Sequence, residues 1–408
     1  MIGVWSKIKL GNACQITKGV QFNKLDLENS GDYPCINGGI SPSGYSDKWN
    51  TESDTITISE GGNSCGYVNF LKTKFWSGGH CYSLLEVKEI IANDFLYYAL
   101  KGRESLIMNL RVGSGLPNIQ QKEIKEFEFV YPKDKPEQTL IAQILSTADA
   151  AISQTEKLIA KYQRIKTGLM QDLLTKGIDA KGNIRSKATH KFVVKNGIEV
   201  PEEWEVKTLE ELFIIKSGTT PLREKYEQYF YQGENCWVKT LDLNDSYIFS
   251  TEENITNKAV IESNCKIRPV NSILIAMYGG WNQIGRTGIL KTPASTNQAI
   301  SVLIEPTKEV DFDYILFCLQ YFKNRWKKFA SSTRKDPNIT KDDVGNFLIA
   351  LPQSLEEQNK ISKQIIQVTE LINIHQTELS KLHSLKTGLM QDLLSGKVRV
   401  KIKEEVIA

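Results

Sequence analysis

Lys166-Thr-Gly-Leu-Met-Gln-Asp-Leu-Leu174 recurs letter for letter as Lys386 to Leu394. Nine identical residues in a row do not recur by chance in a chain of ordinary composition. An internal repeat constrains the architecture before any local reading does. The offset of 220 residues (386 against 166) is far too long for a solenoid and suits two domains in a chain of 408. Working outwards at this offset, Glu137-Gln138 matches Glu357-Gln358, Ile141 matches Ile361, and Pro117-Asn118-Ile119 matches Pro337-Asn338-Ile339. Nearer each N-terminal end the offset is 199: Trp5 pairs with Trp204, Leu10 with Leu209, Ile16 with Ile215 and Gly19 with Gly218. The second copy has therefore gained 21 residues in its middle (220 against 199). A frame that repeats around a middle that does not suggests a scaffold carrying an exchangeable recognition surface.

Composition excludes several classes. A hydrophobic content of 40% and a charged content of 24% fit a globular chain rather than a disordered one. The first residues lack a basic start followed by an apolar run, so no signal peptide is expected. No window of 18 apolar residues exists, so no membrane span is expected either. The seven cysteines form no CxxC pair, which argues against a zinc site or disulfide framework and favours free thiols in a cytoplasmic protein. The net charge of +3 confines any nucleic-acid surface to local patches.

Residues 1–135 mix short strands with a helix expected over Asp94 to Leu110. Residues 136–176 carry apolar or small residues at 141, 145, 148, 152, 155, 159 and 162, a heptad seam that wants a partner helix. At 1.5 Å per residue such a helix reaches on the order of 60 Å. Residues 177–190 are polar and glycine-containing, a linker or surface hairpin. A second globular region runs over 191–353, with strands expected at Trp237–Asp242, Ile273–Tyr278 and Ala299–Ile304 and a helix over Tyr314–Phe329. A second long helix fills 354–397 and repeats the seam, and residues 398–408 form a tail. The fold class is α+β: two repeated globular domains joined by two long antiparallel coiled-coil helices. Two repeated units on a helix pair suggest a pseudo-twofold, and duplex DNA is the kind of object such a protein reads at two half-sites.

The residues match a family pattern at this point. The chain resembles the specificity subunit of type I restriction–modification systems. Leu116-Pro-Asn-Ile119 and Asp336-Pro-Asn-Ile339 resemble its segment before each helix, Leu351-Pro352 and Glu357-Gln358 its helix start, and the twin nonamers its helix end. Trp237-Val-Lys-Thr-Leu-Asp242 and Asn297-Gln298 resemble features of its recognition domains. The resemblance implies a DNA-recognition subunit without a catalytic centre. It implies two modification subunits that use S-adenosylmethionine to methylate adenine at N6, and restriction subunits that use ATP and Mg. No NPPY-type methyltransferase motif, GxxxxGK[ST] phosphate loop or nuclease carboxylate cluster is legible, so no cofactor is expected in this chain.

Candidate DNA-binding residues are Ser41, Ser43, Tyr45 and Lys48 in a turn-rich loop, and Arg111 and Ser114 beside flexible glycines. In the second domain they are Arg223, Lys239, Asp242, Arg286, Gln298, Lys327, Arg334 and Lys335, among which arginine and glutamine have the geometry for base edges. Lys327 lies in the run Lys323–Lys328, whose cations also suit an ordinary helix end. Lys166, Gln171, Lys386 and Gln391 are candidates for docking a modification subunit. His375 in the second seam would tune helix register or simply tolerate partial exposure, and His80 beside Cys81 lacks further ligands for a metal. Two rival readings are a coiled-coil adaptor that binds only proteins and an enzyme with an unfamiliar active site.

Overall fold

A computed structural model describes residues 5–23, 27–113, 115–330 and 338–400. The chain divides into two compact units. One, the N-terminal unit, comprises Met1–Leu158 with His375–Ala408; the other, the central unit, is Ile159–Ile374. The long helices Lys135–Leu173 and Leu355–Leu393, 39 residues each, are thus divided between them. Each unit holds the start of one helix and the end of the other, as an antiparallel pair requires.

In the N-terminal unit an antiparallel sheet has the order Gln15–Lys18, Cys81–Leu85, Thr55–Ser59, Val68–Leu71. Its strand Thr55-Ile-Thr-Ile-Ser59 is buried at all five positions, which suits β-branched residues packed on both faces. A smaller sheet runs Gly44–Ser46, Tyr33–Ile36, Trp76–Ser77. The strand Trp5–Lys9 pairs with Glu128–Pro132 just before the first long helix.

The central unit repeats this plan strand for strand. Phe213–Ser217, Ile300–Pro306, Ile273–Ala276 and Thr287–Leu290 follow in the same order. Asn254–Ile255, Asn235–Val238 and Ala294–Thr296 form the smaller sheet, and Glu205–Thr208 pairs with Leu348–Leu351. The longer middle supplies an additional edge strand, Ser246–Ile248, and the helix Asn257–Glu262.

The repeated residues have repeated tasks. Leu389, Met390, Leu393 and Leu394 of the second nonamer pack into the core of the N-terminal unit with Phe95, Tyr98 and Ile141. Leu169, Met170, Leu173 and Leu174 of the first pack into the core of the central unit with Trp204, Tyr314 and Ile361. Each helix end therefore plugs the unit that contains the other helix's beginning. The seam positions Ile141, Leu145, Ala148, Ile152, Thr155, Ile159, Ile361, Ile365 and Ile372 are buried.

The Glu-Gln pairs hold the helix starts. Gln138 Nε2 donates to Pro132 O at 2.8 Å and Ala92 N donates to Gln138 Oε1 at 2.7 Å. Gln358 Nε2 donates to Pro352 O at 2.9 Å and Asp311 N donates to Gln358 Oε1 at 2.9 Å. One amide thus satisfies a strand-end carbonyl and the amide just before the next helix, groups that would be costly to bury unpaired. Glu137 takes two bonds from Arg399, both 2.6 Å. Glu357 takes two from Arg185, 2.5 and 3.1 Å. Forked bonding of this kind fits a guanidinium on a carboxylate.

Three expected elements differ by more than a terminal residue or two. The helix over 94–110 is two, Asn93–Lys101 and Glu104–Met108. The break at Gly102-Arg103 lets Arg103 Nη2 donate to Leu394 O at 3.1 Å, satisfying a terminal carbonyl of the second long helix. The strand expected at Trp237–Asp242 stops at Val238, because Lys239 N donates to Asp242 Oδ2 at 2.7 Å and curls the chain into a short turn. The helix over Tyr314–Phe329 is Phe312–Tyr321 followed by a tighter turn and Trp326–Phe329.

All seven cysteines are free thiols, and only Cys236 is not buried. Burial pushes Cys14 and Cys318 up to about 12 and Cys81 and Cys265 up to about 11. Since the thiolate is the reactive form, the native protein at pH 8 is expected to lose at most one thiol, Cys236, to a thiol reagent within minutes. Peptide mass mapping of fast-labelled sites checks this, and rapid labelling at Cys14 or Cys318 would contradict the burial described.

Candidate nucleic-acid interface

Each globular region ends its central strand in a glycine pair. In the N-terminal unit Thr55–Ser59 runs into Glu60-Gly61-Gly62 and returns at Gly66-Tyr67, closed by Ser59 N to Tyr67 O at 3.0 Å and Gly66 N to Ser59 O at 2.9 Å. In the central unit Ile273–Ala276 runs into Met277-Tyr278-Gly279-Gly280 and returns at Gly285-Arg286, closed by Gly285 N to Ala276 O and Ala276 N to Arg286 O, both 2.9 Å. The same neighbour braces each hairpin: Ile119 N donates to Glu60 O at 2.8 Å, and Ile339 N donates to Met277 O at 3.0 Å. These hairpins are equivalent in place and unlike in side chains. Tyr278 and Trp281 are exposed on the second, whereas the first carries no aromatic residue before Tyr67.

Several candidates lie near the first hairpin. Gly62 N donates to Pro117 O at 3.0 Å and Val112 bridges Asn118, so the loop that begins at exposed Arg111 lies against it. Gly38, on the turn that bears exposed Ser41 and Ser43, accepts from Ser64 Oγ of the hairpin at 2.6 Å. Tyr45 is half-buried in its strand, and Lys48 is exposed just beyond. Ser114, Arg334 and Lys335 lie outside the described residues.

In the central unit several candidates have partners within the chain. Arg223 bonds Glu253, Nη2 to Oε2 at 2.8 Å, and its guanidinium lies 4.3 Å from the Phe230 ring centre and 5.2 Å from that of Trp237. Hydrogen bonding from Arg223 holds the Glu253 carboxyl below the usual carboxylate range. Lys239 lies between Glu252 at 3.2 Å and Glu253 at 3.4 Å. Asp242 caps its own turn. Arg223 and Lys239 therefore each have an acidic partner within the domain, and Asp242 has a local one in the Lys239 amide. Within Lys323–Lys328, Lys323 pairs with Asp245 at 3.3 Å and Arg325 donates to Leu348 O at 3.3 Å, while Trp326 is core; Lys327 and Lys328 are exposed. Arg286 is half-exposed, its Nε bonded to Asn282 O at 3.0 Å across the hairpin. Gln298 is exposed and accepts from Thr220.

The docking candidates divide in the same way. Lys386 pairs with Asp149 at 2.5 Å, and Lys166 is half-buried with its amine 5.9 Å from the Phe317 ring centre. Burial lowers the Lys166 amine from its ordinary range. Gln171 and Gln391 are exposed, as are Thr167 and Thr387. His375 bonds Glu378 at 3.0 Å one turn on. Among the described residues no group of three or more His, Cys, Asp or Glu could hold a metal, and no helix is long and apolar enough to cross a membrane.

Each unit thus sets one such domain, with its own hairpin, on the start of a long helix. The family model for the type I restriction modification DNA specificity domain matches residues 3–164 and again 201–384. The chain belongs to that family. The MjaVIII specificity subunit of Methanocaldococcus jannaschii is 28% identical over 97% of this chain and 93% of its own length. S.MpnORF638P of Mycoplasma pneumoniae, named as a type I specificity subunit, is 32% identical over 95% of this chain and 96% of its own. A crystal structure of a type I restriction–modification S subunit from M. genitalium shares the fold, with a TM-score of 0.69 at 23% identity, covering 96% of each chain.

Family membership makes each match a DNA specificity domain, and sequence reading overlooked one side chain of the first. Glu60 stands where its hairpin leaves the sheet, with Lys18, His80 and Asn37 around it. The twin glycine pairs, Gly61-Gly62 and Gly279-Gly280, were the legible signal, since they mark equivalent turns in both copies. Arg185 and Arg399, which lock the helix starts, were also overlooked. They sit in segments that read as linker and tail.

Proposed function

We propose that this chain is the DNA-reading subunit of a type I restriction–modification complex. Each globular domain reads one half of an asymmetric, gapped DNA site, and the helix pair sets the gap. Partner subunits supply adenine-N6 methylation and cleavage; this chain carries no catalytic centre and acts in the cytoplasm, where the DNA lies. The observation that carries the reading is one strand plan built twice in a specificity-domain family, with unlike side chains on equivalent hairpins. Of the candidate contacts, the exposed Ser41, Ser43, Lys48, Arg111, Gln298 and Lys327 and half-exposed Tyr45 and Arg286 remain in reach of a duplex. Ser114, Arg334 and Lys335 are proposed on sequence grounds alone. Thr167 with Gln171, and Thr387 with Gln391, are exposed and identical although no packing demands it. They offer two equal docking faces for two copies of one modification subunit.

The test is adenine methylation mapped by long-read sequencing in a methylation-free host that expresses the modification subunit, with and without this chain. A gapped, asymmetric motif that depends on the chain supports the reading. No motif despite a stable complex removes it. A further expected result concerns spacing. Seven residues inserted into both long helices within the seam add about 10 Å, or roughly three base pairs at 3.4 Å each. The gap is expected to lengthen by that amount while both half-sites stay the same. An unchanged gap in a folded variant would remove the helix pair's role as spacer.

A further inference from the structure

We infer that Glu60 is a specificity-determining residue of the N-terminal domain, accepting a hydrogen bond from the exocyclic amino group of a cytosine or adenine in the major groove. The inference rests on the reading that each domain binds a half-site of duplex DNA. The backbone of Glu60 is fixed at both ends: its amide donates to His80 O at 2.9 Å and its carbonyl accepts from Ile119 N at 2.8 Å. The side chain is only 13% exposed, and its Oε1 accepts from Lys18 Nζ at 2.6 Å and Tyr82 OH at 3.1 Å. Oε2 is itself buried and has no hydrogen-bond donor among the described residues; Nδ1 of His80, a mostly exposed side chain, lies 3.6 Å away, so movement of that side chain is what admits a donor. Beside these groups is a cleft of about 520 Å3 whose lining includes Lys18, Asn37, Glu60, His80 and Asn118.

A carboxylate accepts at about four positions, and leaving one oxygen of a nearly buried carboxylate without a donor is unfavourable. The missing partner is a donor. In the major groove the donors are the N4 amine of cytosine and the N6 amine of adenine, and acidic side chains pair with the former. Lys18, bonded to the same carboxylate, offsets the negative charge that would otherwise be repelled by phosphates. Exposed Arg111 begins the loop that lines the far side of the cleft. The equivalent hairpin of the central unit has Met277 and Tyr278 in this place and no carboxylate. Unlike side chains at one position of a shared scaffold are what two unlike half-sites need.

The competing account is that Lys18 and Glu60 merely cross-link two parts of the sheet. The full-length Glu60→Gln chain, expressed with the modification subunit in the methylation-free host, separates the two. Glutamine keeps the size and one acceptor oxygen but changes the acceptor pair. One position of one half-site is expected to lose its preference, a discrimination of roughly ten- to hundred-fold falling to a few-fold, with the other half-site and the gap intact. The base pair affected tells cytosine from adenine. A motif unchanged at every position, with methylation merely weaker, overturns the inference, and so does relaxation of both half-sites together. If Glu60→Gln does not accumulate as folded protein, Glu60→Met, the residue that the equivalent hairpin carries at this place, decides. One position of one half-site should lose its preference, and a motif unchanged at every position would overturn the inference. Failure of the proposed function itself looks different, because the unaltered chain would then yield no gapped motif at all.

Discussion

Deletion of residues 386–408 is expected to unfold the N-terminal unit and spare the central one. The deleted segment carries Leu389, Met390, Leu393 and Leu394, which pack in the N-terminal unit's core, and Leu393 is 4% exposed. It also carries Lys386, the partner of Asp149, and Arg399, the partner of Glu137. Truncating one buried leucine to alanine costs about 2–5 kcal/mol. Losing two such leucines, Leu393 and Leu394, together with the partly buried Leu389 and Met390, exceeds about 5 kcal/mol, the lower end of a whole domain's stability. Hydrogen exchange followed by peptide mapping reads the two units separately. Protection is expected to collapse in Thr55–Ser59 and Cys81–Leu85 and to persist in Ile273–Ala276 and Ile300–Pro306. The reverse pattern would show that the nonamers serve the unit nearest in sequence.

Arg185→Met is expected to destabilise the central unit by about 3–5 kcal/mol, the cost of leaving one member of a buried ion pair alone. The Arg185 side chain is 7% exposed, forks onto Glu357 and lies 2.6 Å from Glu203 through Nε. Without it, Glu357 keeps, among the described residues, Trp204 Nε1 at 3.3 Å and Ile178 N at 3.1 Å. The neighbouring Gly177 leaves no room for repair. Its φ is +66°, and a Cβ there would lie 2.4 Å from the Trp204 ring. Arg399→Met, at the equivalent place, should cost less, because Arg399 is 28% exposed and its loss admits water to Glu137. Urea unfolding monitored by tryptophan fluorescence, with Trp204 buried at the affected site, provides the comparison. Equal and small losses for both variants would remove the argument.

What was legible in the sequence was whatever recurs at close range. The nonamer, the Glu-Gln pairs and the heptad spacing each state a packing task within a few residues, and the structure assigns each the same task twice. What stayed hidden depends on partners far along the chain. Arg185 reads as linker until Glu357, 172 residues on, is placed beside it. Arg223 and Lys239 read as available cations until Glu253 arrives between them. Glu60 reads as the end of a strand, because its cleft is assembled from Lys18, Asn37, His80 and Asn118, segments no local pattern joins. Broken helices were missed for a related reason: the turn at Gly102-Arg103 answers to Leu394, near the other end of the chain.

The division of the chain also sets an order of birth. The central unit is one uninterrupted stretch, Ile159–Ile374, whereas the N-terminal unit needs His375–Ala408. As the ribosome releases the chain from its first residue onward, the middle is able to close before the beginning does. Domains made in sequence normally fold first come, first served. Here the earliest residues must wait, with Phe95, Tyr98 and Ile141 lacking their covering leucines, until the last helix emerges. That interval leaves apolar surface of the nascent protein uncovered. A chain cut short by a late stop codon would leave the ribosome with a finished centre and an N-terminal unit that never acquires the end of the second long helix.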